Sequence, residues 1–86
     1  MRSLDEVIQW ARAELAVVLD RPIDEIGSTL TFSRLGVDSE TATHLMIGLE
    51  DVLQVELDPD VVEELLTIES LAAYAFSVAR GPQSKP

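Results

Sequence analysis

The stretch Leu35-Gly36-Val37-Asp38-Ser39 leads into seventeen residues, Ser39 to Val55, with apolar side chains at Ala42, Leu45, Met46, Leu49, Val52 and Leu53. Offsets of three and four place those six on one stripe of an α-helix, so one face is predicted to be buried. Asp38 suits the N-cap, where a carboxylate accepts from backbone N–H groups that the first turn leaves unpaired. Ser39 is then the first helical residue, beside the buried stripe, with its hydroxyl exposed. A helix N-terminus favours phosphate through its free donors and its dipole. A serine at that point can carry a phosphodiester.

The flanking segments read as further helices. Ser3-Leu4-Asp5-Glu6 has the form of a capping box. Leu4, Val7, Ile8, Ala11, Leu15, Val18 and Leu19 follow as one stripe, predicting a helix from Leu4 to Leu19 with Trp10 packed on its flank. Arg21-Pro22 stops it, because a residue before proline is driven out of the α region. Between Asp20 and Asp38 runs a long connection, in which Ile23 to Ile26 can form a helical turn. Leu30, Phe32, Leu35 and Val37 are expected to anchor it, and Gly27 and Gly36 to supply its turns. Downstream, Asp58-Pro59 is an N-cap followed by proline at N1, opening a short third helix with Val61, Val62, Leu65 and Leu66 on its covered side. Thr67 caps a last helix to about Arg80, with a stripe of Ile68, Leu71, Ala72, Ala75, Phe76 and Ala79 and with Tyr74 at its edge. Gly81-Pro82 ends it. The predicted fold is all-α: a four-helix bundle with a short third helix and a long loop between helices I and II. Residues 1–81 form the domain and 82–86 a polar tail. Met1 and the early capping box favour an independent protein, whereas Gly81-Pro82 and the tail also suit a linker.

Charge and composition narrow the function. The 86 residues carry a formal net charge of -10 and no cysteine, so the chain offers neither a disulfide nor a thiolate. Between Leu35 and Ala79 stand ten carboxylates and no lysine or arginine. Such a surface repels nucleic acid and anionic lipid, steers basic protein patches toward Ser39, and favours a monomer. The first helix is interrupted by Asp5, Glu6, Arg12 and Glu14, which argues against a signal peptide or membrane span and points to the cytoplasm. The single histidine, His44, has no second histidine or cysteine for a triad or zinc site. Asp58 and Asp60 make better helix caps than calcium ligands. No metal and no enzymatic activity are therefore expected.

Gly36-Val37-Asp38-Ser39 resembles the prosthetic-group site of the acyl carrier protein family, whose usual signature is Gly-x-Asp-Ser-Leu. The likeness continues through Phe32 to Leu57 and Thr67-Ile68. It implies that Ser39 accepts 4'-phosphopantetheine from coenzyme A through a separate phosphopantetheinyl transferase, with Asp38 as the acid beside it. The arm's thiol would then hold cargo as a thioester and deliver it to acyl-loading and synthase enzymes with basic docking patches. Two positions depart from the pattern: Glu40 replaces the usual Leu, and Gln54 stands where Gly or Asp would better suit a left-handed helix end.

On the outer side of the second helix, Glu40, Thr43, His44, Ile47, Glu50 and Asp51 are predicted to form the partner-facing surface, an apolar residue within an acidic rim. His44 is expected on the exposed side near Glu40, Ile47 and Asp51. Gly-Val-Asp-Ser is closer to fatty-acid and polyketide carriers than the Gly-Gly-His-Ser run of peptidyl carriers, and Glu40 with His44 suggests a polyketide or other secondary-metabolite pathway. A free-standing aminoacyl or peptidyl carrier is the first alternative, separated by loading with an amino acid. An unmodified helical adaptor is the second, in which Ser39 is dispensable.

Overall fold

The computed structural model describes residues 3–81. Each helix starts where a side-chain oxygen can take a free backbone amide. Ser3 accepts from Glu6 and opens α1, Leu4–Leu19. Thr31 accepts from Arg34 and opens α2, the four residues Phe32–Leu35. Asp38 opens α3, Ser39–Leu53, by accepting from Thr41. Asp58 accepts from Asp60 ahead of α4, Pro59–Val62, with proline at its start. Thr67 accepts from Ser70 and opens α5, Ile68–Arg80. The all-α bundle expected from the sequence is the fold observed, with no strand among the described residues. The polar tail at 82–86 lies outside the described residues.

α1 ends at Leu19 as predicted, whereas the second long helix ends short of expectation. The helix predicted to reach Val55 stops at Leu53, and Gln54 adopts the left-handed conformation (φ 56°) despite being neither Gly nor Asn. A non-glycine residue there costs about 1–2 kcal/mol. Local bonds offset that cost: Gln54 Nε2 donates to Asp51 O at 2.7 Å, and the Val55 amide donates to Glu50 O at 3.1 Å. Asp20 does the same after α1 (φ 54°), before Pro22 is reached.

α1 lies against α5 and α3, and α3 against α5. Val7, Ala11 and Leu15 of α1, Leu45 and Leu49 of α3, and Ile68, Leu71, Ala72 and Ala75 of α5 are buried. Burying one such Leu, Ile or Val contributes about 1.5–3 kcal/mol. The predicted stripes are wider than the buried ones: Val18 and Val52 are exposed and Ala42 and Met46 half-buried. α4 is a single turn and cannot cover the far side of α3. For the same reason Leu66, expected on the covered side of the third helix, is 60% exposed. Trp10 packs on the flank of α1 as expected. It does so against Gly48, where a Cβ would stand 2.7 Å from Trp10 Cη2, so the glycine permits the close approach of α1 and α3.

In the long connection the helical turn expected at Ile23 to Ile26 is observed as a 3₁₀ turn at Ile23–Glu25, and α2 adds a helix that the sequence did not show. Phe32, Leu35 and Val37 are buried anchors as predicted. Leu30 is not: it is 37% exposed, its amide turned back onto Gly27 O at 3.3 Å. Ile26 takes the anchoring place, fully buried. Only Gly36 among the glycines described has a positive φ (84°), so Gly27 serves no left-handed turn. The loop is stitched to the start of α5 by a Thr31–Thr67 bridge, by Phe32 N donating to Leu66 O at 2.7 Å, and by Glu69 N donating to Ser28 O at 3.0 Å.

Candidate functional site

Ser39 is delivered by four consecutive backbone decisions. Leu35 is buried and ends α2; Gly36 turns left-handed, a conformation its missing Cβ allows. Val37 drops into the core and its amide donates to Phe32 O at 2.8 Å. Asp38 is extended, accepts the Thr41 amide at Oδ1 (2.8 Å), and accepts the Ala42 amide at its carbonyl (2.9 Å). Ser39 therefore becomes the first residue of α3 with its side chain exposed. Its hydroxyl has no hydrogen-bond partner among the described residues. The Thr41 amide, followed by the Thr41 hydroxyl, holds the Asp38 carboxyl below its ordinary range. Asp38 is thus an anion in the neutral range, fixed as a cap beside the serine.

A cleft of about 250 Å³ opens next to Ser39. Its walls are mostly apolar: Val37, Ala42 and Met46 on one side, Val62, Leu65 and Leu66 on the other, with Asp38, Thr43 and Glu63 as polar groups. It exists because one-turn α4 leaves the flank of α3 uncovered. The sequence placed Leu65 and Leu66 in a helix stripe; that they wall a groove depends on where α4 crosses, which no local pattern encodes.

The residues predicted for the outer side of α3 divide by what they touch. Glu40, Thr43, Ile47 and Asp51 are exposed, Ile47 to 55%. Thr43 also lines the cleft, and Ile47 with Asp51 borders a shallow surface hollow that includes Gln54 and Glu56. His44 is exposed but reaches across to α1, its Nε2 3.3 Å from Glu14 Oε2. That partner differs from the Glu40 and Asp51 neighbours expected, because α1 runs antiparallel along the histidine's flank. Glu50 is half-buried and its Oε2 accepts the Leu57 amide at 2.8 Å, clamping the turn after α3. Among the described residues no cluster of His, Cys, Asp and Glu could hold a metal ion, and no helix is long and apolar enough to cross a membrane.

An exposed hydroxyl on the first turn of a capped helix is the geometry a phosphodiester needs: free space, nearby helix donors and no competing partner. The family model for the phosphopantetheine attachment site matches residues 9–75, and the chain belongs to that family. Its members carry a covalently attached 4'-phosphopantetheine, so the family resemblance and the cofactor read from the sequence both stand. A curated relative, "Acyl carrier protein 2, chloroplastic" of Arabidopsis thaliana, is 28% identical over 71 residues, which are 83% of this chain and 50% of the relative. The chain thus spans about half the length of that relative.

Proposed function

We propose that this protein is an acyl carrier whose attachment residue is Ser39, modified with 4'-phosphopantetheine from coenzyme A by a separate transferase. The observation that carries the reading is the exposed, unpartnered Ser39 hydroxyl at the start of α3, within the matched family segment. When bound, the prosthetic group supplies a terminal thiol that holds acyl cargo as a thioester. The chain's own residues then have three tasks. Asp38 fixes the helix start and keeps a negative charge next to the serine. The helix N-terminus stabilises the phosphodiester. The cleft beside Ser39 offers apolar surface against which an acyl chain can be shielded from water.

The outer side of α3 is the proposed docking surface, with Glu40, Asp51 and His44 around Ile47. Glu50 is also on that side, although its carboxylate already serves Leu57. Acidic side chains around an apolar residue suit acyl-loading and synthase enzymes with basic patches. Glu40, which departs from the family signature, together with His44 favours a polyketide or other secondary-metabolite pathway. We infer a monomeric carrier that does not itself catalyse. The charges that interrupt the first helix favour a cytoplasmic protein, whereas the plant relative's name is chloroplastic.

The test is intact-protein mass after incubation with coenzyme A and a broad-specificity phosphopantetheinyl transferase. The expected result is a gain of one phosphopantetheine, lost in Ser39→Ala. No gain on folded protein would overturn the reading and favour the helical adaptor. Cargo shielding has its own check: acylation is expected to shift side-chain NMR signals of Met46, Val62 and Leu65, and unmoved signals would refute it.

A further inference from the structure

Two arginines grip the loop that delivers Ser39, and they hold different parts of it. Arg12, half-buried in α1, donates from Nε to Ile26 O at 2.7 Å and from Nη2 to Ile23 O at 2.9 Å. It therefore secures the 3₁₀ turn at the beginning of the loop. Arg21 follows α1, with its amide donating to Ala16 O at 3.0 Å, and reaches the other end of the loop: Nη1 donates to Leu35 O at 3.0 Å. Leu35 closes α2, and its carbonyl is one of those a helix C-terminus leaves without an intrahelical donor. Only Gly36, Val37 and Asp38 separate it from Ser39. Glu25 Oε1 accepts from Arg21 Nε at 3.2 Å and fixes the guanidinium from its other edge. An exposed pair of that kind adds little stability, so what it contributes is orientation.

α2 is thus held from two sides. Phe32 N, at its start, donates to Leu66 O at 2.7 Å, and Leu35 O, at its end, accepts from Arg21. Buried Phe32 and Leu35 pin α2 to the core, and the Arg21 bond adds a polar tie at the end that leads through Gly36 to the start of α3.

We propose that Arg21 is a positioning residue for the modification of Ser39. By holding the Leu35 carbonyl it fixes the end of α2, and with it the angle at which Asp38 and Ser39 are presented to the transferase. The proposal rests on Ser39 being the attachment residue. A guanidinium donor makes a stronger, more directional bond to a carbonyl than a neutral group does. Because misplacing a reacting group by about 1 Å costs up to roughly 100-fold in rate, an intermediate loss of about tenfold is expected when this bond is removed.

The experiment compares Arg21→Met, Arg21→Lys and Arg12→Met with the wild type. Methionine keeps an apolar stem and removes the donors. We expect Arg21→Met to lower kcat/KM for phosphopantetheine transfer about tenfold, with a partial return in Arg21→Lys. Arg12→Met is expected to lower Tm at least as much and to leave the transfer rate near wild type. Independently of the transferase, amide NMR signals of Asp38 to Thr41 in the unmodified protein should move in Arg21→Met and stay in place in Arg12→Met. A folded Arg21→Met modified at the wild-type rate would overturn the proposal. So would an equal loss of rate in Arg12→Met, which would show general loosening of the loop. A wild-type protein that is not modified at all would remove the carrier reading, and the proposal with it.

Discussion

α3 and α5 begin with the same device and put it to opposite uses. At each start an extended residue accepts the amide three positions on: Asp38 from Thr41, and Thr67 from Ser70. At α5 the arrangement closes on itself. The Ser70 hydroxyl meets Thr67 N at 3.3 Å, Thr67 Oγ1 at 3.0 Å and Thr67 O at 3.0 Å, while the first helical residue, Ile68, is fully buried. At α3 the cap stays between Asp38 and Thr41. The first helical residue is Ser39, exposed and without a partner, next to a cleft. Capping chemistry is common to both; the two helix starts differ in whether their polar groups are satisfied within the chain.

The largest expected effect tests the first helical residue of each helix. Ile68→Ala should cost about 2–5 kcal/mol in urea unfolding, as for other large core truncations. Ser39→Ala should change stability by no more than about 0.5 kcal/mol, as at an exposed site, while ending modification. Equal destabilisation in the two variants would break the comparison.

The caps come next. Thr67→Ala should cost about 1 kcal/mol, the usual value of an N-cap, measured as a lower midpoint of denaturation. Ser70→Ala should lower that midpoint too, and leave phosphopantetheine transfer unaffected. A transfer rate that falls with Ser70 would mean that the α5 start is not merely structural.

The charge on Asp38 gives a smaller effect with a definite sign. Its folded carboxyl is held below the ordinary range by the Thr41 amide and hydroxyl. A depressed pKa adds stability that is present above the unfolded carboxylate value and lost as pH falls through the folded one. Asp38→Asn keeps an acceptor for the Thr41 amide and removes the titration. The Tm of the wild type should therefore fall more steeply than that of the variant on the acid side of the carboxylate range, and the two should run parallel near neutrality. Identical slopes would show that the charge is not coupled to the cap.

Smallest is the effect of the outer side of α3. Charge reversal of Glu40 and Asp51 to Lys should slow modification several-fold at low salt and much less at high salt, because exposed charges act through a screened field. Rates that ignored both the charges and the salt would remove the docking proposal.

The contrast between the helix starts was legible in the sequence because it is local. Ser3, Asp38, Asp58 and Thr67 each act on an amide two or three residues away, so their helices began where predicted. Apolar spacing likewise identified Leu45, Leu49 and Leu71 as core. What the sequence did not reveal depends on which faces meet. α2 is too short to show a helical period, so Phe32 and Leu35 read only as anchors. The burial of Ile26, the contact of His44 with Glu14, and the fit of Trp10 over Gly48 are set by helices far apart in the chain. Glu50 read as a surface acid, since its bond to the Leu57 amide requires the chain to turn back at Gln54. The cleft was hidden for the same reason: its walls come from α3, α4 and the segment after α4, and only their crossing makes a groove.

The most direct measurement is to locate the modification. After reaction with coenzyme A and a transferase, fragmentation mass spectrometry of the peptides containing Ser39 and Ser70 reports which serine carries the added group. Phosphopantetheine is expected on Ser39 alone. A group found on Ser70, or on any serine other than Ser39, would contradict that assignment.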